Sequence, residues 1–203
     1  MNELELELEK KILETIIEKR EISISFFDIV NRFEEKYSNF KFTENCFPIS
    51  DYFGSGSGQS SVTSKLLKDN KIDENWLIEY RINNKIKRDF KGLYIFIYNE
   101  TPFYVGISKG VISRILQHVK GHSHNTSTLA YNIGLIRYKF LNNKDYVGGR
   151  KNFDFKNNVE PVKKFLLKQK ISFANISNDE ELYLFEIFCS MKLKTKLNLF
   201  STH

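Results

Sequence analysis

A chain of 203 residues is long enough for one domain with a full core, or for a catalytic domain preceded by a smaller helper. Hydrophobic residues at 41% and charged residues at 28% exclude a disordered or fibrous chain. The formal net charge of +6 favours a polyanionic partner without deciding for one, because the same excess spread over a whole surface suits any globular protein.

No stretch reaches the roughly 18 continuous apolar residues that a bilayer span needs. The first ten residues are rich in glutamate, the reverse of a basic signal-peptide start. A cytoplasmic protein without membrane association is therefore expected. Cys46 and Cys189 stand far apart with no CxxC spacing, which suggests neither a disulfide framework nor a thiolate zinc site. Both are expected to be reduced and structural.

Taken in chain order, Leu4, Leu8, Ile12, Leu13, Ile16 and Ile17 fall at helical spacing and predict an amphipathic helix over residues 4–20. Ser25 is placed to cap a second helix bearing Phe26, Ile29, Val30 and Phe33, and a short helix is expected around Trp76 and Leu77. Residues 53–61 are the one low-complexity stretch. A phosphate-binding loop would need a lysine near Gln59, so the stretch reads as a flexible loop.

The pattern changes at Gly92. Residues 93–98 and 103–107 are β-branched and aromatic runs around Asn99, Glu100, Thr101 and Pro102, which predicts a hairpin. Alternation places Tyr94, Phe96 and Tyr98 on one face, and Tyr104 joins them only in a register that pairs even positions with even. Residues 111–120 carry Ile112, Ile115, Leu116 and Val119 on one helical face, leaving Arg114 and His118 stacked four apart on another. A strand is expected over residues 134–140, a helix over 159–168 opened near Pro161, and a strand over 171–176. Ser177 with Glu180 forms a capping box for a last helix ending near residue 192.

That last helix is apolar almost all round from Leu182 to Met191, with Glu186 as its only ionisable carboxylate. Burying a lone carboxylate costs several kcal/mol unless a metal or cation compensates it. A structural salt bridge and a functional site both satisfy that requirement.

The order Gly92-Leu93-Tyr94, Tyr104-Val105-Gly106, Lys109, Arg114, His118, Glu186 and Asn198 resembles the GIY-YIG nuclease family. Arginine ten residues after the second motif tyrosine, histidine four later, and asparagine about a dozen beyond a glutamate in an apolar helix all match the family's spacing. The two motif tyrosines are ten apart, one fewer than the commonest spacing, and residues 134–165 look like an insertion.

The resemblance implies an α+β fold: a small mixed or antiparallel three-stranded sheet flanked by helices over residues 91–203. A mainly helical N-terminal region, residues 1–90, would serve DNA recognition or dimerisation. It implies a metal-dependent endonuclease that hydrolyses DNA phosphodiesters, of a restriction or defence type. The alternatives are a repair or mobile-element nuclease, or a catalytically degenerate nucleic-acid-binding module. Duplex DNA is the expected partner, and a homodimer is a possible assembly.

By the same resemblance Glu186 holds one Mg²⁺, with Mn²⁺ as a substitute, and Arg114 offers its planar fork to the scissile phosphate. Tyr94 is the candidate general base, its phenol acidified by Arg114, Lys109 and the metal. Tyr104 orients water or a phosphate oxygen, and His118 relays a proton or holds Tyr94. Gly92, Gly106, Lys109 and Asn198 support the site, and Lys109 and His124 join Arg114 in binding substrate, with His122 as the alternative to His124. A zinc site built from His118, His122 and His124 is the weaker reading of the three imidazoles.

Overall fold

The computed structural model describes residues 25–82, 84–122 and 126–198, together with positions 7, 10–12 and 14. Those isolated positions are helical; the rest of the helix expected over residues 4–20 lies outside the described residues. The elements in order are α1 (Phe26–Phe40), β1 (Phe47–Pro48), α2 (Ile49–Phe53), α3 (Gln59–Lys68), β2 (Leu77–Ile82), β3 (Lys85–Phe90), β4 (Gly92–Tyr98) and β5 (Thr101–Ser108). They continue with α4 (Val111–Lys120), α5 (Thr128–Asn142), α6 (Glu160–Leu167), β6 (Lys170–Asn175) and α7 (Asp179–Leu193). The fold is α+β. By its contacts the chain divides into Met1–Glu35 and Lys36–His203, and the sheets and the candidate site belong to the second unit.

The main sheet has the order β1-β6-β4-β5, with every pairing antiparallel. β1 is a two-residue addition, so the working sheet is the expected three strands with β4 at its centre. From Gly92 to Ile97 every β4 residue is buried, as a strand covered on both faces requires. Tyr94, Phe96 and Phe173 join one apolar cluster with Ile112, Ile115, Leu66 and Phe153. The opposite face carries Leu93, Ile95 and Ala174, all fully buried, and α7 packs there against β4 and β5 through Leu182, Phe185 and Cys189.

A separate hairpin, β2–β3, precedes the main sheet. Its alternating residues and the left-handed backbone of Asn84 in the turn are ordinary hairpin chemistry, yet the sequence reading placed only a short helix here. In the structure Glu74–Trp76 is a single 3₁₀ turn capped by the Asp73 side chain, and Leu77 opens β2. The glycine-serine stretch likewise ends early, because Gln59 is the first residue of α3.

The strand expected over residues 134–140 is part of the helix α5. The Ser127 side chain caps it by accepting from the Ala130 N–H at 3.0 Å, which commits the segment to a helix before its β-like alternation begins. Gly134 then serves packing, since a Cβ there would press on the Asn158 carbonyl at 3.2 Å and the Phe153 ring at 3.3 Å. At α7 the capping box of Ser177 and Glu180 is replaced by Asn178, whose side chain accepts from the Glu181 N–H at 2.8 Å. Lys91 donates to the Ser177 carbonyl, and the cap falls one residue later at Asn178, whose backbone is extended.

Candidate active site

The site begins with the register of the central hairpin. Asn99 and Glu100 both adopt left-handed backbone and make a two-residue turn that pairs Tyr98 with Thr101, even with odd. A bulge at Phe103 then shifts the ladder, and beyond it Phe96 pairs with Tyr104 and Tyr94 with Gly106. That shift brings Tyr104 onto the face of Tyr94 and Phe96, the condition the sequence left open. The ring centroids of Tyr94 and Tyr104 are 6.2 Å apart. Both motif glycines are required sterically: a Cβ at Gly106 would overlap the Tyr94 ring, and one at Gly92 would overlap the Ala174 carbonyl oxygen on β6.

α4 carries Arg114 and His118 and is anchored at both ends. At its start the buried Asp89 carboxylate accepts from the Ile112 N–H at 2.8 Å and from the Ser113 N–H and hydroxyl at 2.9 and 2.7 Å. An anion at a helix N-terminus meets its unpaired N–H groups and its dipole together. Gln59 also donates to Asp89 and to Tyr80, which ties α3 and the β2–β3 hairpin to the same point. At the other end the buried Lys163 donates to the Gln117 carbonyl at 2.7 Å. Burial, reinforced by Arg114, lowers the Lys163 ammonium to about 8.

His118 is fully buried, with Nε2 at 2.8 Å from the Tyr94 hydroxyl and Nδ1 at 2.6 Å from Ser127 Oγ. Burial, then Arg114 and Lys163, push its pKa well below the usual imidazole range, so the ring is neutral. Arg114 is half-buried, donates to the Thr126 carbonyl at 3.2 Å and to Gln117 at 3.0 Å, and its charge acts on the Tyr94 phenol.

Tyr94 is not acidified. Burial and the neighbouring Tyr104 raise its phenol well above 10, outweighing the opposing pull of Arg114. Lys109 stands away from the phenol. Its mostly exposed side chain reaches towards Asp179 at 4.0 Å and lines an outer groove of about 400 Å³ with Tyr80, Ser113 and Arg114. In the protein alone burial therefore outweighs Arg114 and the phenol is a neutral hydroxyl; the acidification expected of Arg114, Lys109 and the metal together includes a charge that acts only once an ion is bound.

Glu186 faces a cleft of about 180 Å³ lined also by Tyr104, Thr128, Leu129, Asn132, Leu197 and Asn198. Burial raises its carboxyl to about 7, and no lysine, arginine or histidine lies within ion-pair distance among the described residues. Its charge is nonetheless felt by both phenols, as a cause that raises each of them. Asn198 takes the free edge of β5, accepting from the Val105 N–H at 2.9 Å and donating to the Val105 carbonyl at 2.7 Å. That places the asparagine as a support for the strand beside Tyr104.

Tyr94, Tyr104, Arg114, His118 and Glu186 thus converge from four elements, with Asn198 bracing β5. Lys109 stands apart on the rim, His122 is exposed beside a different cavity, and His124 lies outside the described residues. Both His118 nitrogens are engaged with Tyr94 and Ser127, which removes it from any zinc site shared with His122. Sequence reasoning missed Asp89, Ser127, Asn132 and Lys163. Ser127 had a legible signal, a Ser-Thr pair ahead of an apolar run, whereas Asp89 and Lys163 act through contacts distant in sequence.

Comparison of the chain with models of protein families, with curated proteins and with solved structures returns no match.

Proposed function

We propose that the protein is a metal-dependent endonuclease of the GIY-YIG type that hydrolyses phosphodiester bonds of duplex DNA, in a restriction or defence role. The observation that carries this reading is Glu186: a half-buried carboxylate, unpaired with any cation among the described residues, shares a cleft with Tyr104, and its charge and that of Arg114 both act on the Tyr94 and Tyr104 phenols. A carboxylate kept there without a cation is poorly solvated, and a divalent ion completes its environment.

The donor set fits Mg²⁺, which binds through one or two carboxylates and keeps several waters. Glu186 would hold it, with Mn²⁺ as substitute, and the bound ion supplies Lewis-acid stabilisation of phosphoryl oxygens and an activated water. Arg114 presents a permanently charged fork to the scissile phosphate. Tyr104 lines the cleft and orients the attacking water. Tyr94 stands behind it as the candidate proton acceptor, and in the protein alone it is a neutral hydroxyl held by His118. Lys109 contacts the substrate backbone from the rim.

The test is incubation of purified protein with supercoiled plasmid and Mg²⁺. The parent chain is expected to nick or linearise the plasmid, and chelation to stop it. Arg114→Ala and Glu186→Gln are expected to fold and to lose cleavage, and Arg114→Lys to lose about a hundredfold, as removal of one oriented charge-stabilising group does. A parent chain that binds plasmid but leaves it intact in Mg²⁺ and Mn²⁺ overturns the proposal.

A further inference from the structure

We infer that Ser127 is a positioning residue for this cluster: it fixes His118 in the tautomer whose Nε2–H donates to Tyr94, which directs the Tyr94 hydroxyl proton at Tyr104. This rests on the proposed function for its catalytic meaning, but its geometry stands without it.

Ser127 is 1% exposed and is the cap of α5, its oxygen accepting from the Ala130 N–H at 3.0 Å. The hydroxyl has one proton of its own, and the His118 Nδ1 at 2.6 Å is the one acceptor it faces among the described residues. Were Nδ1 to carry the ring proton, it would donate to the serine oxygen and leave the serine proton buried without an acceptor. Unpaired buried donors are what folded proteins avoid. Ser127 therefore donates to Nδ1.

A neutral ring with Nδ1 accepting carries its proton on Nε2, 2.8 Å from the Tyr94 oxygen. Burial, Arg114 and Lys163 together keep the ring neutral, so no second ring proton disturbs this order. The Tyr94 oxygen then accepts from His118, so its own proton is turned away from the imidazole and is free to point towards Tyr104, whose ring centroid lies 6.2 Å from that of Tyr94. The chain of donors runs from Ser127 through His118 to Tyr94, whose ring lies beside Tyr104, the phenol that opens on the cleft. Fixing a histidine tautomer by a hydrogen bond to its far nitrogen is a recurrent device around reacting groups.

The test uses the full chain labelled with ¹⁵N at histidine. The His118 ring of the parent is expected to show a single Nε2–H tautomer, Ser127→Ala a mixture of both, and Ser127→Thr the parent state, because threonine keeps the cap and the hydroxyl. With plasmid and Mg²⁺, Ser127→Ala is expected to lower kcat about ten- to a hundredfold at unchanged KM, and Ser127→Thr to restore it. A parent ring protonated at Nδ1, or a Ser127→Ala variant with the parent tautomer and kcat, overturns the inference. Absence of cleavage by the parent would sink the proposed function instead, while the tautomer measurement still decides the role of Ser127.

Discussion

Replacing Glu186 by glutamine measures what it takes to keep a carboxylate in the cleft. Burial lifts its carboxyl from 4.5 to about 7. At ~1.36 kcal/mol per pH unit, that makes ionisation about 3 kcal/mol less favourable in the fold than in the unfolded chain. The group is partly open to solvent, and screening reduces this to about 1–2 kcal/mol. Below pH 4.5 the carboxyl is protonated in both states and the difference vanishes. As pH rises the unfolded chain ionises first, so stability is lost progressively up to about pH 7 and stays constant above it. Glutamine carries no such loss.

Glu186→Gln should therefore match the parent near pH 4.5 and exceed it at pH 8. For a chain of this size, roughly 2–4 °C per kcal/mol gives a Tm difference of about 2–8 °C. Thermal unfolding in chelator across pH 4.5 to 8 reads it directly. Adding Mg²⁺ at pH 8 should raise the Tm of the parent and leave the variant unmoved. Because the ion competes with a proton for Glu186, its apparent affinity should rise about tenfold per pH unit up to about pH 7 and then level. A variant less stable than the parent at pH 8 in chelator would mean that Glu186 has a cationic partner in the fold, and the metal reading would lose its foundation.

Gly106→Ala should force the Tyr94 ring away from His118, lowering stability by about 1–3 kcal/mol and abolishing cleavage, checked by unfolding and by the plasmid assay. Asp89→Asn should cost about 3 kcal/mol, read as a Tm drop of roughly 6–12 °C, because an amide offers one acceptor where α4 and Ser113 need two carboxylate oxygens. Asn198→Ala should remove both bonds to Val105 and destabilise by about 1–3 kcal/mol. Hydrogen exchange at the Val105 amide should quicken in that variant while the amides of β4 stay protected.

The residues of the candidate site were legible chiefly through the order and spacing they share with the family they resemble. A lone glutamate in an apolar helix, and an arginine and histidine four apart on one face of another, draw notice without a structure, but a structural salt bridge would account for the glutamate as well. The faces of α4 and the hairpin followed from periodicity in the same way. What stayed hidden depends on register and on distant partners. Whether Tyr104 faces Tyr94 is decided by the single extra residue at Phe103, and alternation alone cannot reveal a bulge. Residues 134–140 alternate like a strand, and they are helical because Ser127, seven residues upstream of Gly134, had already satisfied the first turn. The burial that raises the Tyr94 phenol in the protein alone stayed hidden for a related reason: nearby cations are visible in a sequence, whereas complete burial of a phenol is not.

The layout of the cluster follows from the position of β5. α4 follows β5 and covers the face that carries Tyr94 and Phe96, while α7 follows β6 and covers the opposite face. A sheet separates side chains on its two faces by its own thickness, so groups from α4 and α7 meet only where the sheet ends. β5 is that end, an edge strand whose free hydrogen-bonding groups at Val105 would otherwise invite another chain. Asn198 occupies them, which closes the edge as a pairing site and leaves the cleft between Tyr104 and Glu186 open. The asparagine near the end of the chain, twelve residues beyond Glu186, is thus explained by strand geometry, independently of any part in the chemistry.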